Sequence, residues 1–277
     1  MKSIQILKAS GEKEPFSERK LKNSLSRSGA PEAVIQQTVQ KVESQLYPGM
    51  TTDELYATAF RLLKKHRPNV AARYSLKKSI LLMGPSGHPF ETLIAEVLRF
   101  QGFEVQSRQV VQGRCVKHEL DVIAEKEGRR IMVECKFHHE QSLKVDIKTA
   151  LYVQARFEDL HSTEIISKTG TRGFDQGWLV TNSKITSDAT QYARCVGLQA
   201  IGWDYPLGGS LPLLIDRAGL HPVTSLTLLN KSQKVNLIEK GLVLCKDISG
   251  PILNNIGLSK EKVASVLEES KKLCQTN

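Results

Sequence analysis

No apolar run in the 277-residue sequence approaches the length of a membrane-spanning helix. The first residues alternate Ile4 and Ile6 with polar residues, so the apolar core of a signal peptide is missing as well. The sequence also contains no internal repeat and no low-complexity tract. These absences predict a globular protein of the cytoplasm that has no membrane partner.

Cysteine is scarce, and its placement is irregular. The five cysteines are scattered along the chain: Cys115, Cys135, Cys195, Cys245 and Cys274. No pair has the spacing of a zinc knuckle, and an odd count argues against a disulfide framework. The pattern fits a protein whose thiols stay reduced.

Acidic residues are in deficit, but only at the two ends of the chain. Overall there are 39 Lys and Arg against 29 Asp and Glu, a net charge of +10 that favours an anionic partner. Residues 1–85 contain 15 basic and 7 acidic residues, whereas residues 86–224 contain 16 and 17. The near-neutral charge of residues 86–224 suits a catalytic segment that needs acidic residues to bind a metal. The basic segments on either side of it suit phosphate binding.

Two short runs rich in apolar and β-branched residues, 119–124 and 131–137, flank a charged turn and predict a β-hairpin. If the turn is centred on residues 127–128, Asp121 lies directly opposite Glu134. Their Cβ atoms are then about 4.5–5.5 Å apart.

Two facing carboxylates repel each other unless a cation lies between them. Carboxylates, carbonyls and water are the ligands that Mg²⁺ and Mn²⁺ prefer. Lys136 follows Glu134 by two residues and so shares its face of the strand. The set Asp121, Glu134 and Lys136 is suited to metal-assisted phosphodiester hydrolysis. A surface hairpin with cross-strand ion pairs is the competing interpretation.

The first 85 residues predict a strand, a turn and a series of helices. Ser17 is a predicted N-cap of the first helix, and Thr52 is a candidate cap for a later one. Further helices are predicted at residues 31–46, 52–66 and 69–82.

This N-terminal pattern resembles the ATP-cone, a small nucleotide-binding regulatory domain. The matching residues are Ile6, Lys8, Gly11, Glu14, Phe16, Lys20, Leu21, Thr52 and residues 70–74. The resemblance implies that ATP or dATP binds as an effector. It assigns the triphosphate to Lys8 and Lys20, and it adds Ile6, Glu14 and Thr52 as weaker nucleotide-binding candidates. Ala9 departs from the family, which often has a second basic residue there. The alternative is a helical domain with surface lysines.

In the middle of the chain, an amphipathic helix begins near Phe90 and carries Glu91 at the edge of its apolar stripe. A second helix is predicted at residues 143–160. Basic residues and one aromatic residue recur along it every four residues, a stripe suited to contact with a phosphate backbone: Lys144, Lys148, Tyr152 and Arg156. Such a stripe is more often only a solvated face.

The element order of this segment is similar to the core of the PD-(D/E)xK nucleases, in particular the Mrr-like restriction endonucleases and Holliday-junction resolvases. The match comprises residues 89–93, 101–105, 121–124, 133–136 and 193–201. It implies a catalytic set of Glu91, Asp121, Glu134 and Lys136. It also implies Mg²⁺ or Mn²⁺ ligation by Asp121, Glu134 and the carbonyl of Cys135, with Glu91 as an outer or second-metal ligand. Leu120 stands where many relatives have proline.

The C-terminal residues predict short helices at 224–229, 231–239, 248–254 and 259–273, the last capped by Ser259. The connection at residues 255–260 resembles one helix-hairpin-helix hairpin, a module that binds DNA phosphates. A small packing or dimerisation tail is the alternative.

Together these patterns predict a multi-domain α/β protein. The expected domains are a small helical ATP-cone with a short β-hairpin at 1–85, a restriction-endonuclease-like α/β/α core with a mixed sheet at 86–212, and a linker with a helical tail at 213–277. The resemblance implies a metal-dependent DNA endonuclease regulated by ATP or dATP, and family analogy implies a homodimer. A nucleotide-responsive DNA-binding regulator without cleavage, and an RNA-directed nuclease, remain open.

Overall fold

A computed structural model of the protein describes residues 4–8, 10–161 and 172–275. The chain forms two compact units, Met1–Leu82 together with His221–Gln275, and Met83–Leu220. Within the described residues, no helix is both long and apolar enough to cross a membrane.

The first unit is mainly helical. Its N-terminal part consists of β1 (Gln5–Leu7), β2 (Lys13–Pro15), α1 (Glu18–Arg27), α2 (Glu32–Glu43), α3 (Thr52–His66), α4 (Pro68–Tyr74) and α5 (Leu76–Leu81). β1 and β2 pair antiparallel, with Ile6 opposite Glu14. The predicted cap of α1 is confirmed, because the Ser17 hydroxyl accepts a hydrogen bond from the backbone N–H of Lys20.

Two local predictions in this part are wrong. The cap of α3 is Thr51 and not Thr52, because Thr51 and Glu54 form a reciprocal capping box. The single helix predicted at residues 69–82 is two helices that meet at Ser75. The Ser75 hydroxyl donates to the carbonyl of Ala72, a local bond that competes with a continuous helix.

The C-terminal part of the first unit contains three helices: α10 (Lys231–Glu239), α11 (Gly250–Asn255) and α12 (Lys260–Cys274). The Ser259 cap of α12 is confirmed. The helix predicted at 224–229 is only a 3₁₀ turn, Val223–Ser225. The resemblance of the α11–α12 connection to a helix-hairpin-helix stays a prediction.

The two parts of the first unit pack directly on each other. The buried hydroxyl of Thr224 donates to the carbonyl of Ser79, and the Lys64 ammonium donates to the carbonyl of Thr227. The C-terminal segment therefore shares a compact unit with the N-terminal helices. The division of the chain into three domains stays a prediction.

The second unit is an α/β structure that contains a five-stranded sheet. Its elements are α6 (His88–Phe100), β3 (Glu104–Gln112), β4 (Lys117–Lys126), β5 (Arg129–Lys136), β6 (Lys144–Val145), α7 (Ile147–His161), β7 (Gln176–Thr181), β8 (Lys184–Ile185), α8 (Ser187–Val196), β9 (Gln199–Ile201) and α9 (Leu211–Ala218). The strand order is β3-β4-β5-β7-β9. The first three strands pair antiparallel and the last three pair parallel, so the predicted mixed sheet is confirmed.

The β4–β5 hairpin has the predicted turn. Glu127 and Gly128 have φ angles of 52° and 74°. Positive values at both central residues are those of a type I′ turn, whose twist suits a two-residue hairpin. The ladder runs from Lys126–Arg129 to Val122–Val133 and ends there, one residue before Asp121 and Glu134.

Candidate active site

The site lies where β4 and β5 stop pairing. The register of the hairpin, extended by one step, places Asp121 opposite Glu134. Beyond the last ladder pair, the cross-strand hydrogen bond has a side-chain acceptor and not a backbone carbonyl. The N–H of Cys135 on β5 donates to Oδ2 of Asp121 on β4 at 2.7 Å. This bond orients the Asp121 carboxylate while the two strands separate.

Arg156 of α7 lies against the same opening. Its Nη1 forms an ion pair with Oε2 of Glu134, and its Nη2 donates to the backbone carbonyl of Glu119. The residue is only 9% exposed. One guanidinium group thus joins a carboxylate on β5 to the backbone of β4.

This position corrects the predicted basic stripe. Lys144 lies in β6 and not on the helix, and Arg156 points into the protein. Arg156 follows the buried Val153 by three residues and precedes the buried Leu160 by four. Arg156 therefore lies on the buried apolar face of α7. A helical wheel of the sequence places it there, but the sequence prediction did not use that placement.

Glu91 reaches towards the site from α6. Its Oε2 is buried and has no hydrogen-bond partner among the described residues. The carboxylate folds back over the start of the helix, since a Cβ added to Gly87 would lie 3.3 Å from Oε1 of Glu91. Burial, together with the neighbouring Asp121 carboxylate, raises the pKa of Glu91. An unpartnered buried carboxylate oxygen is costly, so a cation, a hydrogen-bond donor or a proton would stabilise Glu91.

The electrostatics show an excess of buried negative charge. Burial raises the pKa of Asp121, against the lowering effect of the Cys135 N–H. Burial first, and the Asp121 carboxylate second, raise the pKa of Glu134 to about 7, although Arg156 and Lys136 act in the opposite direction. Both carboxylates therefore resist ionisation because they are buried, and Glu134 does so further because Asp121 lies near it.

A divalent cation fits this donor set. It would offset the repulsion that the Asp121 carboxylate exerts on Glu134. Within the described parts of the chain, no three His, Cys, Asp or Glu residues form a group that could hold a metal ion. Two carboxylates, one carbonyl and several waters suit Mg²⁺, which usually keeps part of its hydration shell.

Two cationic side chains belong to β3 and β5 beside these carboxylates. Lys136 is exposed at the end of β5, on the strand face that carries Glu134. Arg108 lies between the paired residues Ser107 and Gln109 of β3, at a step where β3 and β4 form no ladder pair, and has a φ of 53°, an uncommon value for a residue with a side chain. Strained backbone of this kind often occurs at functional sites.

A separate cavity of about 210 Å³ lies in the first unit and is lined by four of the five predicted nucleotide-binding residues: Ile6, Glu14, Lys20 and Thr52. Lys8 is next to it, with its Nζ 3.0 Å from Oε2 of Glu14, and Lys20 Nζ is 2.8 Å from the same oxygen. Glu14 therefore gathers the two lysines. Their bonds, chiefly that from Lys20, lower its pKa.

The same cavity contains two tyrosines that sequence reasoning missed. The rings of Tyr56 and Tyr74 stack with centroids 5.2 Å apart and an interplanar angle of 7°. The ammonium of Lys78 lies 4.0 Å from the centroid of the Tyr56 ring. The cavity thus combines an aromatic wall with lysines.

Three protein families match successive parts of the chain. The family described as ATP cone domain matches residues 4–80, and the family described as Restriction endonuclease matches residues 83–202. The family described as AF1548-like, C-terminal, matches residues 221–274. The predicted fusion of an ATP-cone to an Mrr-like endonuclease domain is confirmed.

Two matches to known proteins each extend over a longer part of the chain than any one of these three segments. An uncharacterized protein of Archaeoglobus fulgidus is 38% identical over 183 residues, which are 65% of this chain and 99% of that protein. The crystal structure of the protein of unknown function AF1548 has 36% sequence identity and a TM-score of 0.54. The match covers 68% of this chain and 98% of that one, so this chain includes nearly the whole relative.

Proposed function

Since this chain belongs to the AF1548-like family, and since its endonuclease domain follows an ATP-cone, we propose that it is a metal-dependent DNA endonuclease regulated by ATP or dATP. The observation that supports the proposal is the position of Asp121 and Glu134, one residue beyond the last pair of the β4–β5 ladder, with Lys136 on the strand face of Glu134. A protein that only binds DNA has no need of clustered buried acids beside a phosphate path.

In the proposed mechanism Asp121, Glu134 and the carbonyl of Cys135 hold Mg²⁺ or Mn²⁺. When bound, the ion would supply Lewis acidity for the activation of a water molecule and positive charge beside the scissile phosphate. Glu91 contributes its unpartnered oxygen as an outer or second-metal ligand. The ammonium of Lys136 orients the attacking water and stabilises negative charge that develops on the phosphate.

The proposed substrate is DNA, as the restriction-endonuclease family implies. Lys148 and Tyr152 are exposed on α7, the helix whose buried face carries Arg156 to the site, and they suit contact with a phosphate backbone. Cutting both strands of a duplex requires two such sites, which makes a homodimer part of the proposal.

The proposed effector site is the cavity in the first unit. Lysine ammonium groups are point charges that suit triphosphate oxygens, and Glu14 holds two of them at one end of the cavity. Ile6 and Thr52 line the same space, and the Tyr56–Tyr74 stack offers a surface for a base.

The function is tested by cleavage of supercoiled plasmid and of a four-way junction. We expect wild-type protein to cut DNA with Mg²⁺ or Mn²⁺ and to stop when EDTA is added, because the carboxylates alone cannot activate water. The rate should change when ATP or dATP is added. DNA binding without cutting under every metal and nucleotide condition would instead favour the regulatory DNA-binding protein, and cutting of RNA alone would favour the RNA-directed nuclease.

The nucleotide site yields a second expected result. Lys20→Ala should weaken ATP and dATP binding about 10-fold, because it removes a charge-assisted contact worth roughly 1.5–3 kcal/mol before solvent exposure is discounted. Isothermal titration calorimetry would measure the affinity. Lys22→Ala is the matched control, since Lys22 lies on the same helix, pairs with Glu18 and is not part of the cavity lining. Equal affinities for the two variants would contradict the assignment.

A further inference from the structure

The opening between β4 and β5 is closed by one side chain from outside the hairpin. The backbone ladder ends at Val122–Val133, and the next cross-strand bond is the one from Cys135 to Asp121. Arg156 supplies the other connection, since its two terminal nitrogens contact Glu134 on β5 and the Glu119 carbonyl on β4.

The fork geometry of Arg156 restricts the Glu134 carboxylate. A guanidinium group is planar and presents its donors in fixed directions, so a carboxylate bound to it loses its freedom to rotate. Arg156 contacts Oε2, and Oε1 accepts no hydrogen bond from the described residues. One oxygen is thereby anchored and the other stays available to a ligand.

The anchor is itself held firmly. The Arg156 side chain is 10% exposed and that of Glu134 is 17% exposed. The Arg156 guanidinium carbon also lies 5.5 Å from the centroid of the Tyr152 ring on the same helix. A buried charge pair of this kind costs desolvation energy, and replacing it by apolar residues is often neutral or stabilising. Fold stability alone therefore does not explain why a charged pair occupies this position.

We propose that Arg156 is a positioning residue that orients Glu134 for divalent-cation binding, an inference that rests on the proposed function. Residues that hydrogen-bond a metal ligand fix its orientation, and their replacement typically costs about 10–100-fold in metal affinity or activity. Arg156 acts through Glu134 and does not itself touch the metal or the phosphate.

The test is a Mn²⁺ titration of the full chain, with free Mn²⁺ measured by electron paramagnetic resonance. Arg156→Met should raise the half-saturating Mn²⁺ concentration about 10–100-fold. Arg156→Lys should give an intermediate value, because one ammonium group can contact Glu134 but cannot also reproduce the bond to the Glu119 carbonyl. Arg194→Met, the same chemical change at an exposed position on α8, should match wild type.

Only variants that circular dichroism shows to be as fully folded as wild type are compared, because reversible unfolding would itself raise the half-saturating Mn²⁺ concentration. Among such variants, a purely structural role of Arg156 would leave that concentration unchanged, which would overturn the inference. If wild type binds Mn²⁺ and cuts DNA but the Arg156 variants have the same half-saturating Mn²⁺ concentration as wild type, only the positioning role is overturned. Wild type that binds no Mn²⁺ and cuts no DNA overturns the proposed function and this inference with it.

Discussion

Asp121→Asn should lower the rate of DNA cleavage by on the order of 10²–10³-fold while the fold stays intact. Asparagine has nearly the same volume, and its carbonyl oxygen can still accept the hydrogen bond from the Cys135 N–H that Asp121 accepts at 2.7 Å. The substitution removes only the negative charge. If the carboxylate serves to hold a cation, that charge is the property that matters.

The measurement is a single-turnover cleavage rate at saturating Mg²⁺. Asp121→Ala, which loses both the charge and the hydrogen bond, should be no more active than Asp121→Asn. Asp188→Asn is the matched control, because Asp188 is an exposed residue of α8 in the same compact unit. If Asp121→Asn retained a rate within threefold of wild type, Asp121 could not be an essential ligand.

The second large effect concerns stability. Phe90→Ala should lower the free energy of unfolding of the second unit by about 3–5 kcal/mol. Phe90 is 0% exposed, and its ring centroid lies 5.6 Å from that of Phe137. Removing the ring leaves a cavity under the helix that carries Glu91 and beside the strand that carries Lys136. The same packing therefore supports both sides of the site.

Urea denaturation followed by tryptophan fluorescence would measure this loss. Both tryptophans of the chain, Trp178 and Trp203, belong to the unit Met83–Leu220, so the signal reports that unit. Phe100→Ala is the control, since Phe100 is on the same helix but 57% exposed, and it should change stability by no more than about 0.5–1 kcal/mol. Similar losses for the two variants would show that the Phe90 ring does not stabilise this unit.

The charge arrangement links the predictions for Asp121 and Arg156. Asp121 and Glu134 share a half-buried site in which burial raises the pKa of both carboxylates and Asp121 raises that of Glu134 further, and Arg156 supplies only one guanidinium group against them. Glu91 adds a third carboxylate from α6. Lys136 and Arg108 are cationic but exposed, so the partly buried groups alone are three carboxylates and one guanidinium, and the proposed divalent cation would supply the missing positive charge.

Several features could be predicted from the sequence because they depend on neighbouring residues. The Glu127–Gly128 turn sets the register of the hairpin, and that register determines that Asp121 faces Glu134. The caps at Ser17 and Ser259 are local in the same way. The cap of α3 was equally local, and the spacing from Thr51 to Glu54 would have identified it.

Other features were decided only by tertiary structure. The ion pair between Arg156 on α7 and Glu134 on β5 joins two residues that are 22 positions apart and belong to different elements. The stacking of Tyr56 on Tyr74 likewise requires two helices to pack. The sequence by itself determined the order of the main elements around the hairpin, the hairpin register and the acidic residues of the candidate site. Which side chains complete each site depended on how separate elements pack, because contacts between distant residues leave no fixed spacing in the chain.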